Sequence, residues 1–267
     1  MIIGFIGAGV MARALGKGLV SGGIVPAAHL ICSAPTAQEG QPFLDLFAGA
    51  CWTPNNEDVV HRSDLIILAV KPQVIAEAMS ALREVSAGKL FLSIAAGVTI
   101  NKIRGWLHPT ARVIRSMPNT PMQIGCGASV YAGGPNATEA DLALAERVLA
   151  SAGKAWQVDE SQIDTVTALS GSGPAYVYLF VKALADAGVS EGLTPALAAR
   201  MALKTLRGAE ENMRRSPLSA AELIRIVASP GGTTEAALRK FDDLRFSDIV
   251  ANAVHAAAQR SRELGRS

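Results

Sequence analysis

The chain has 267 residues, of which 49% are apolar and 18% are charged, so it holds ample material for a buried core and intrinsic disorder is not expected. It carries 25 lysines and arginines against 23 aspartates and glutamates, and the net charge of +2 is spread without long runs. This balance excludes a dedicated basic surface for nucleic acid.

The same composition predicts neither a membrane span nor a metal site. The longest uncharged stretch, residues 116–138, contains three prolines and four glycines, which do not fit a lipid-exposed helix. No basic residue precedes Arg13, so a secretory signal is not expected. Cys32, Cys51 and Cys126 are odd in number and lack metal-type spacing. They indicate reduced thiols in a cytoplasmic protein.

Over residues 1–160, short apolar runs alternate with segments of helical spacing. The runs predicted as strands are Ile2–Ile6, Leu30–Cys32, Leu65–Val70, Leu90–Ile94 and Arg112–Ile114. The clearest predicted helices are Ala8–Ser21, Gln73–Ser86 and Glu139–Ala152. This rhythm of strand, helix and strand predicts an α/β fold, a Rossmann-type, doubly wound, mostly parallel sheet with helices on both faces.

After residue 160 the sequence shows only helical spacing. The predicted helices are Ser161–Ala168, Pro174–Ala187, Pro195–Arg214, Ala220–Ala228, Thr234–Phe241 and Phe246–Leu264. We therefore predict a dinucleotide-binding domain over 1–160 and an all-helical domain over 161–267. Because the second domain is rich in alanine and poor in aromatic residues, we expect it to bury a helix face against a second copy, a compact monomeric bundle being the alternative.

A GxGxxA pattern directly follows the first predicted strand and opens a helix. Gly7 permits a tight turn, Gly9 lets a pyrophosphate approach the backbone, and Ala12 keeps the helix close to the sheet. The helix N-terminus then offers free N–H groups and a positive dipole to phosphates. The predicted contacts are Gly7, Ala8, Gly9, Val10, Met11 and Ala12. A glycine turn without a nucleotide, in an unrelated α/β fold, is the alternative.

The end of the second strand favours NADPH over NADH. An NAD site usually has an acidic residue there for the ribose 2′-hydroxyl, but the first acid in this chain is Glu39. Ser33 and Thr36 offer hydroxyl donors to a 2′-phosphate instead. The nearest arginine in the sequence is Arg13 on the first helix, so the charge partner of that phosphate is unidentified. NADH stays possible.

Three further motifs are too specific for packing alone. Residues 69–73 (AVKPQ) follow the buried third strand at its carboxyl end, where open α/β sheets bind ligands. Residues 115–121 (RSMPNTP) form a second segment at the same edge. Residues 229–235 (SPGGTTE) open a helix of the second domain, and their free N–H groups and hydroxyls predict a cradle for a carboxylate.

Together the motifs resemble one family along almost the whole chain. GFIGAGVMA, AVKPQ, SIAAGVTI, MPNTP, ALSGSGPAY and SPGGTTEAAL occur in the order seen in pyrroline-5-carboxylate reductases, the enzymes of the last step of proline biosynthesis. The final stretch is the most specific of these. The resemblance implies reduction of 1-pyrroline-5-carboxylate to L-proline by hydride transfer to the carbon of its C=N bond.

The resemblance also implies site residues and an assembly. Cofactor contacts beyond the glycine turn and Ser33 fall on Asn56, Ala69, Val70, Lys71 and Pro72, with Ala95, Ala96 and Gly97 at the nicotinamide end. The substrate loop falls on Ser229, Gly231, Gly232, Thr233 and Thr234. The Thr234 hydroxyl reaches the substrate ring nitrogen, a helix N-cap being the alternative role for this residue. Similar proteins form intertwined homodimers through the helical domain, and some assemble into decamers.

Reduction of the imine does not require a strong general acid, since a cyclic imine that enters the site protonated is already electrophilic. None of the four histidines has a partner at triad or metal spacing. We therefore expect catalysis by positioning, with the Thr234 loop facing the nicotinamide within or across subunits. Two alternatives are a β-hydroxyacid dehydrogenase that uses Lys182, although Asp186 stands where Asn is expected, and a catalytically silent dinucleotide-binding protein. Lys71 could equally be a surface lysine.

Overall fold

The computed structural model describes residues 1–266, and its backbone separates into two compact units. The first unit comprises residues 1–172 and the C-terminal segment from residue 257 onward, and the second comprises residues 173–256. The chain therefore leaves the first unit and later returns to it. The domain boundary at residue 160 stays a prediction.

The first unit is built on a single eight-stranded sheet. Its strands are β1 (Ile3–Ile6), β2 (Leu30–Ser33), β3 (Cys51–Thr53), β4 (Leu65–Leu68), β5 (Leu90–Ser93), β6 (Arg112–Met117), β7 (Gly127–Gly133) and β8 (Gly153–Gln157). They lie in the order β3-β2-β1-β4-β5-β6-β7-β8, and only the β6–β7 pairing is antiparallel. The strand order reverses between β1 and β4, and ligands bind at such a switch point in open α/β sheets.

Helices cover both faces of this sheet. They are α1 (Val10–Ser21), α2 (Ala37–Leu44), α3 (Asn56–Arg62), α4 (Ile75–Met79), α5 (Ile100–Trp106), α6 (Glu139–Ala150) and α7 (Ile163–Val166). Because side chains alternate along a strand, Ile3 and Phe5 pack in one core with α1, α2 and α6, whereas Ile6 packs in a second core with α3, α4 and α5. The predicted doubly wound architecture is confirmed.

Three strands and the length of one helix differ from the sequence prediction. The strands β3, β7 and β8 were not predicted; β3 has only three residues, and β7 lies in the uncharged stretch 116–138, which is rich in proline and glycine. The helix predicted over Gln73–Ser86 is wrong in length, because α4 ends at Met79. There the Ser80 hydroxyl donates 2.8 Å to the Glu77 carbonyl oxygen, in place of a continued helix.

The second unit, residues 173–256, consists of helices joined by turns. Its helices are α8 (Gly173–Ser190), α9 (Pro195–Arg215), α10 (Ala220–Val227), α11 (Thr233–Asp243) and α12 (Phe246–Arg266), of which the last ends in the first unit. Its largest helices bury little: α8 has no buried residue, and α9 buries only Ala198 and Ala202. Within residues 1–266, no helix combines the length and apolar character that a membrane crossing requires.

Candidate active site

Two glycines of the turn after β1 meet different surroundings. Gly7 has a φ of +100°, and a Cβ added there would lie 2.9 Å from the carbonyl oxygen of Ala69. The fold itself therefore requires glycine at this position. A Cβ added at Gly9 would meet no atom within 4 Å. The space over Gly9 is open, so glycine there is not explained by packing.

The backbone donors in the first turn of α1 have no hydrogen-bond partner among residues 1–266. Gly9 caps the helix without a side-chain hydrogen bond, and the first turn holds no acidic residue. The N–H groups of Val10, Met11 and Ala12 have no intrahelical acceptor by their position in the helix. These donors and the helix dipole point towards the open space at Gly9, an arrangement that suits a phosphate.

A cleft of about 360 Å³ lies at the carboxyl ends of the strands on either side of the switch point. Four residues predicted to contact a cofactor line it, namely Gly7, Ser33, Asn56 and Val70. The other lining residues are Ala34, Pro35, Pro54, Val74, Glu77 and Ala78. The structure therefore brings the glycine turn, the end of β2 and the segment after β4 to one cleft, large enough for a nucleoside moiety.

The two predicted hydroxyl donors have local partners. The Ser33 side chain is buried, and its hydroxyl donates 3.5 Å to the carbonyl oxygen of Phe5. The Thr36 hydroxyl caps α2 by accepting a bond from the Glu39 N–H at 3.3 Å, and Thr36 is not among the residues that line the cleft. Ser33 borders the cleft, whereas Thr36 has a structural explanation as a helix cap.

Asn56 joins the two helices that border the cleft. Its Nδ2 donates 2.9 Å to the carbonyl oxygen of Ala78, so α3 is tied to the end of α4. No donor among the described residues bonds to the Oδ1 of this amide, which can therefore accept a hydrogen bond from a ligand. This bond could not be predicted, because it links residues of separate helices.

The remaining predicted cofactor residues lie after β4 and β5. The Ala69 N–H donates 2.9 Å to the Ile6 carbonyl oxygen, and exposed Lys71 precedes the turn that Pro72 opens. Ala95 is buried, whereas Ala96 is half-buried.

Gly97, the last of this set, has a φ of +75°, and a Cβ added to it would lie 2.9 Å from the Cβ of Leu264. The C-terminal turn of α12 thus packs directly on Gly97. This close approach within the first unit gives glycine at position 97 a structural cause.

The sequence did not predict an ion-pair network around the buried Arg115 side chain of β6. Arg115 is only 2% exposed and lies 2.8 Å from Asp164 and 3.4 Å from Glu160. The Ser261 hydroxyl donates 2.8 Å to the same Asp164 oxygen, which fastens the end of α12 to α7. The RSMPNTP motif drew attention to this segment, but no local signal reveals partners 45 and 49 residues away.

The predicted substrate loop has a defined geometry within the second unit. Gly231 has a φ of +72°, and its N–H donates 2.6 Å to Oε2 of Glu235. The Gly232 N–H donates 3.0 Å to the Ser229 carbonyl oxygen. The bond from Gly231, followed by that from Arg239, lowers the pKa of the Glu235 carboxyl. Two N–H groups of the loop are therefore already bonded within the chain.

Thr234 stands at the start of α11, in the second unit. The helix begins at Thr233 and its N-cap is Gly232, so Thr234 is the second helical residue. The alternative role of Thr234 as an N-cap is therefore excluded. Its side chain is half-buried, and no hydrogen bond joins its hydroxyl to another residue among 1–266.

Lys182 and the histidines show ordinary local contacts. The Lys182 Nζ lies 2.6 Å from Asp186, and the two side chains are 72% and 63% exposed, which describes a surface ion pair on α8. The Nδ1 of His29 lies 3.1 Å from the Met1 carbonyl oxygen, and the Nδ1 of His108 lies 2.8 Å from the Thr110 hydroxyl. In the described chain, residues 1–266, no three His, Cys, Asp or Glu side chains are grouped to hold a metal.

Comparison with known proteins gives the family. Residues 2–97 match the model of the "NADP oxidoreductase coenzyme F420-dependent" family, and residues 160–264 match that of "pyrroline-5-carboxylate reductase dimerisation". A curated pyrroline-5-carboxylate reductase of Arabidopsis thaliana is 40% identical over 266 residues, covering 99% of this chain and 96% of the relative. The chain belongs to the pyrroline-5-carboxylate reductase family. The Pseudomonas aeruginosa enzyme of that name is 41% identical over 264 residues, with 98% and 96% covered.

Solved structures of the family have the same fold. The pyrroline carboxylate reductase of Plasmodium falciparum, solved with NADP bound, superposes with a TM-score of 0.90 at 30% identity, covering 99% of this chain and 98% of that one. The pyrroline-5-carboxylate reductase of Coxiella burnetii gives 0.90 at 32% identity, with the same coverage. The resemblance seen in the motifs is confirmed, and so is the predicted combination of a Rossmann-type sheet with a helical C-terminal part.

Proposed function

We propose that the chain reduces 1-pyrroline-5-carboxylate to L-proline, with NADPH as the hydride donor. The observation that carries this proposal is the 40% identity with the Arabidopsis enzyme, which extends over both the sheet and the helices. The chain is thus an oxidoreductase of the last step of proline biosynthesis. The surface ion pair of Lys182 with Asp186 gives no support to the alternative of a hydroxyacid dehydrogenase.

The residues around the glycine turn fit a dinucleotide. The open space over Gly9 and the free N–H groups of the α1 first turn suit a pyrophosphate, and the cleft beside Gly7 suits the adenosine. Ser33, Asn56 and the segment from Ala69 to Pro72 complete the proposed binding residues, with residues 95–97 at the nicotinamide end. When bound, NADPH supplies the hydride; NADH is the alternative donor.

The substrate loop suits a carboxylate. Since the N–H groups of Gly231 and Gly232 are bonded within the loop, the donors left for a ligand are those of Thr233 and Thr234 in the first turn of α11. The dipole of this eleven-residue helix adds to their attraction for a negative charge. We assign the binding of the substrate carboxylate to these donors.

Thr234 has the group that the imine nitrogen needs. When the carbon of the C=N bond gains a hydride, the nitrogen must hold a proton, and the unpartnered Thr234 hydroxyl can bond to this nitrogen. Such a bond contributes roughly 1–3 kcal/mol in a desolvated site. Orientation of the reacting atoms supplies more, at most about 7–11 kcal/mol. The role of this chain is therefore chiefly to position the imine.

The second unit supports a homodimer. Leu179, Phe180 and Ile249 are exposed and border an apolar groove of about 510 Å³ between α8 and α12. The 18-residue helix α8 has no buried residue and exposes apolar side chains, and an exposed apolar surface of this kind marks an interaction site. We propose that a second copy covers this surface, as the dimerisation model over 160–264 supports. Assembly into a decamer and a cytoplasmic location stay predictions.

One assay tests the function. Purified chain should oxidise NADPH when 1-pyrroline-5-carboxylate is added, with L-proline formed in equal amount. The control reaction offers hydroxyacids with NADP⁺, the substrates of the dehydrogenase alternative. Turnover of hydroxyacids alone, or nucleotide binding without turnover of the imine, would refute the proposal.

A further inference from the structure

The cleft beside the glycine turn contains one charged residue, and its charge is negative. Glu77, an exposed residue of α4, lines it together with residues at the end of β2. The other residues that line the cleft are uncharged, and none of those described is a lysine, arginine or histidine. The cleft is therefore acidic, although the sequence near β2 suggested a site without a carboxylate.

This charge matters because the two candidate cofactors differ by one anionic group. NADPH carries a phosphate on the 2′-oxygen of its adenosine ribose, and NADH carries a hydroxyl there. In Rossmann folds that oxygen lies near the end of the second strand, here Ser33 and the following Ala34 and Pro35, which line the same cleft as Glu77. A carboxylate in this space acts against the phosphate and leaves the hydroxyl unaffected.

Glu77 and the residues that end β2 share this one cleft of about 360 Å³. Charges closer than the Debye length, roughly 8 Å at physiological ionic strength, are only partly screened, so a carboxylate and a phosphate held in the same cleft repel each other. Neither Lys71 nor Arg62, which donates to the Cys51 sulfur at 3.4 Å, is among the residues that line the cleft.

We propose that Glu77 is a specificity-determining residue, which disfavours the 2′-phosphate and lets NADH compete with NADPH. The inference rests on the proposed dinucleotide site and deepens it. Negative charge, which NAD-binding folds usually place at the end of the second strand, enters this cleft from α4 instead. The hydroxyl and amide groups of Ser33 and Asn56 bind either ribose without compensating the charge.

The test compares Glu77→Gln with the wild-type chain. Gln removes the charge and keeps the size, and Glu84→Gln, an exposed position on the turn after α4 and outside the lining, is the matched control. Titration calorimetry measures the affinity for 2′,5′-ADP and for 5′-AMP, and steady-state kinetics measures kcat/KM with NADPH and NADH.

We expect Glu77→Gln to bind 2′,5′-ADP at least threefold more tightly, with unchanged affinity for 5′-AMP. The ratio of kcat/KM for NADPH over NADH should rise by a similar factor, and the gain should shrink at high salt. Glu84→Gln should change neither ratio. If the wild-type chain binds both nucleotides and turns over the imine but Glu77→Gln leaves the ratios unchanged, the inference is wrong. If the wild-type chain binds neither nucleotide, the proposed function fails as well.

Discussion

The N–H of Gly231 donates 2.6 Å to the Oε2 of Glu235, so a carboxylate of the chain itself holds one backbone donor of the proposed substrate loop. This bond spans the left-handed turn at Gly231 and stabilises it. The bond lowers the pKa of the Glu235 carboxyl below its ordinary value of 4.5. The stability that the bond gives to the turn is therefore complete above pH 4.5, and it is lost only as the pH falls through the lowered pKa. The loop should therefore stay ordered at pH 4.5.

Removing this carboxylate should weaken substrate binding. In Glu235→Ala the turn loses its acceptor, and we expect KM for 1-pyrroline-5-carboxylate to rise about threefold or more, with unchanged affinity for NADPH. Glu235→Gln keeps an acceptor oxygen and should lie closer to wild type. Steady-state kinetics of the two variants checks this, and equal effects of Ala and Gln would show that the acceptor is unimportant.

Thr234→Ala should lower kcat/KM tenfold or more, which corresponds to about 1.4 kcal/mol of transition-state stabilisation. The reason is the loss of the hydroxyl that bonds to the imine nitrogen. Nucleotide affinity, measured by titration, should not change. Thr234→Ser is the control, since it keeps the hydroxyl and should recover most of the activity. An alanine variant as active as wild type would remove the proposed role of Thr234.

Alanine substitutions at the two glycines of the turn should have different effects, one on nucleotide affinity and the other on the stability of the fold. Gly9→Ala adds a methyl group into open space, so we expect its thermal stability to be nearly that of wild type and its affinity for NADPH to fall at least tenfold.

Gly7→Ala should instead destabilise the fold by about 1–3 kcal/mol, because its φ of +100° and the nearby Ala69 carbonyl oxygen strain any side chain. Thermal unfolding and nucleotide titration of both variants check this pair. A strongly destabilised Gly9→Ala variant would contradict the assignment of the space above it.

A charge on α8 should disrupt the proposed dimer. Leu179 is 67% exposed in the single chain, and Leu179→Glu would bury an unpaired carboxylate in the interface. We expect light scattering to give a monomer mass for this variant and a dimer or larger assembly for wild type. Leu46→Glu, a similar change at an exposed leucine of the first unit, is the control. A wild-type monomer would refute the dimer.

How far the sequence could predict the structure depended on the range of the contacts. The apolar run that forms β4, Leu65–Leu68, was predictable because a central parallel strand is buried on both faces. The start of α11 was predicted one residue late, and the prediction that the SPGGTTE motif opens a helix is confirmed. By contrast, the salt bridge of Arg115 joins β6 to a residue 49 positions later in the sequence. Glu77 of α4 lines the same cleft as the end of β2, which is also far from it in the sequence. No local sequence pattern predicts either arrangement.

The return of α12 to the first unit bears on how the polypeptide folds as it leaves the ribosome. The strands of the sheet are all made by residue 157, but Leu264, which covers Gly97, and Ser261, which bonds to Asp164, are made more than a hundred residues later. The nucleotide-binding unit is therefore encoded first and completed last. A nascent chain interrupted within the helices would carry every strand of the sheet and still lack the final turns that close it.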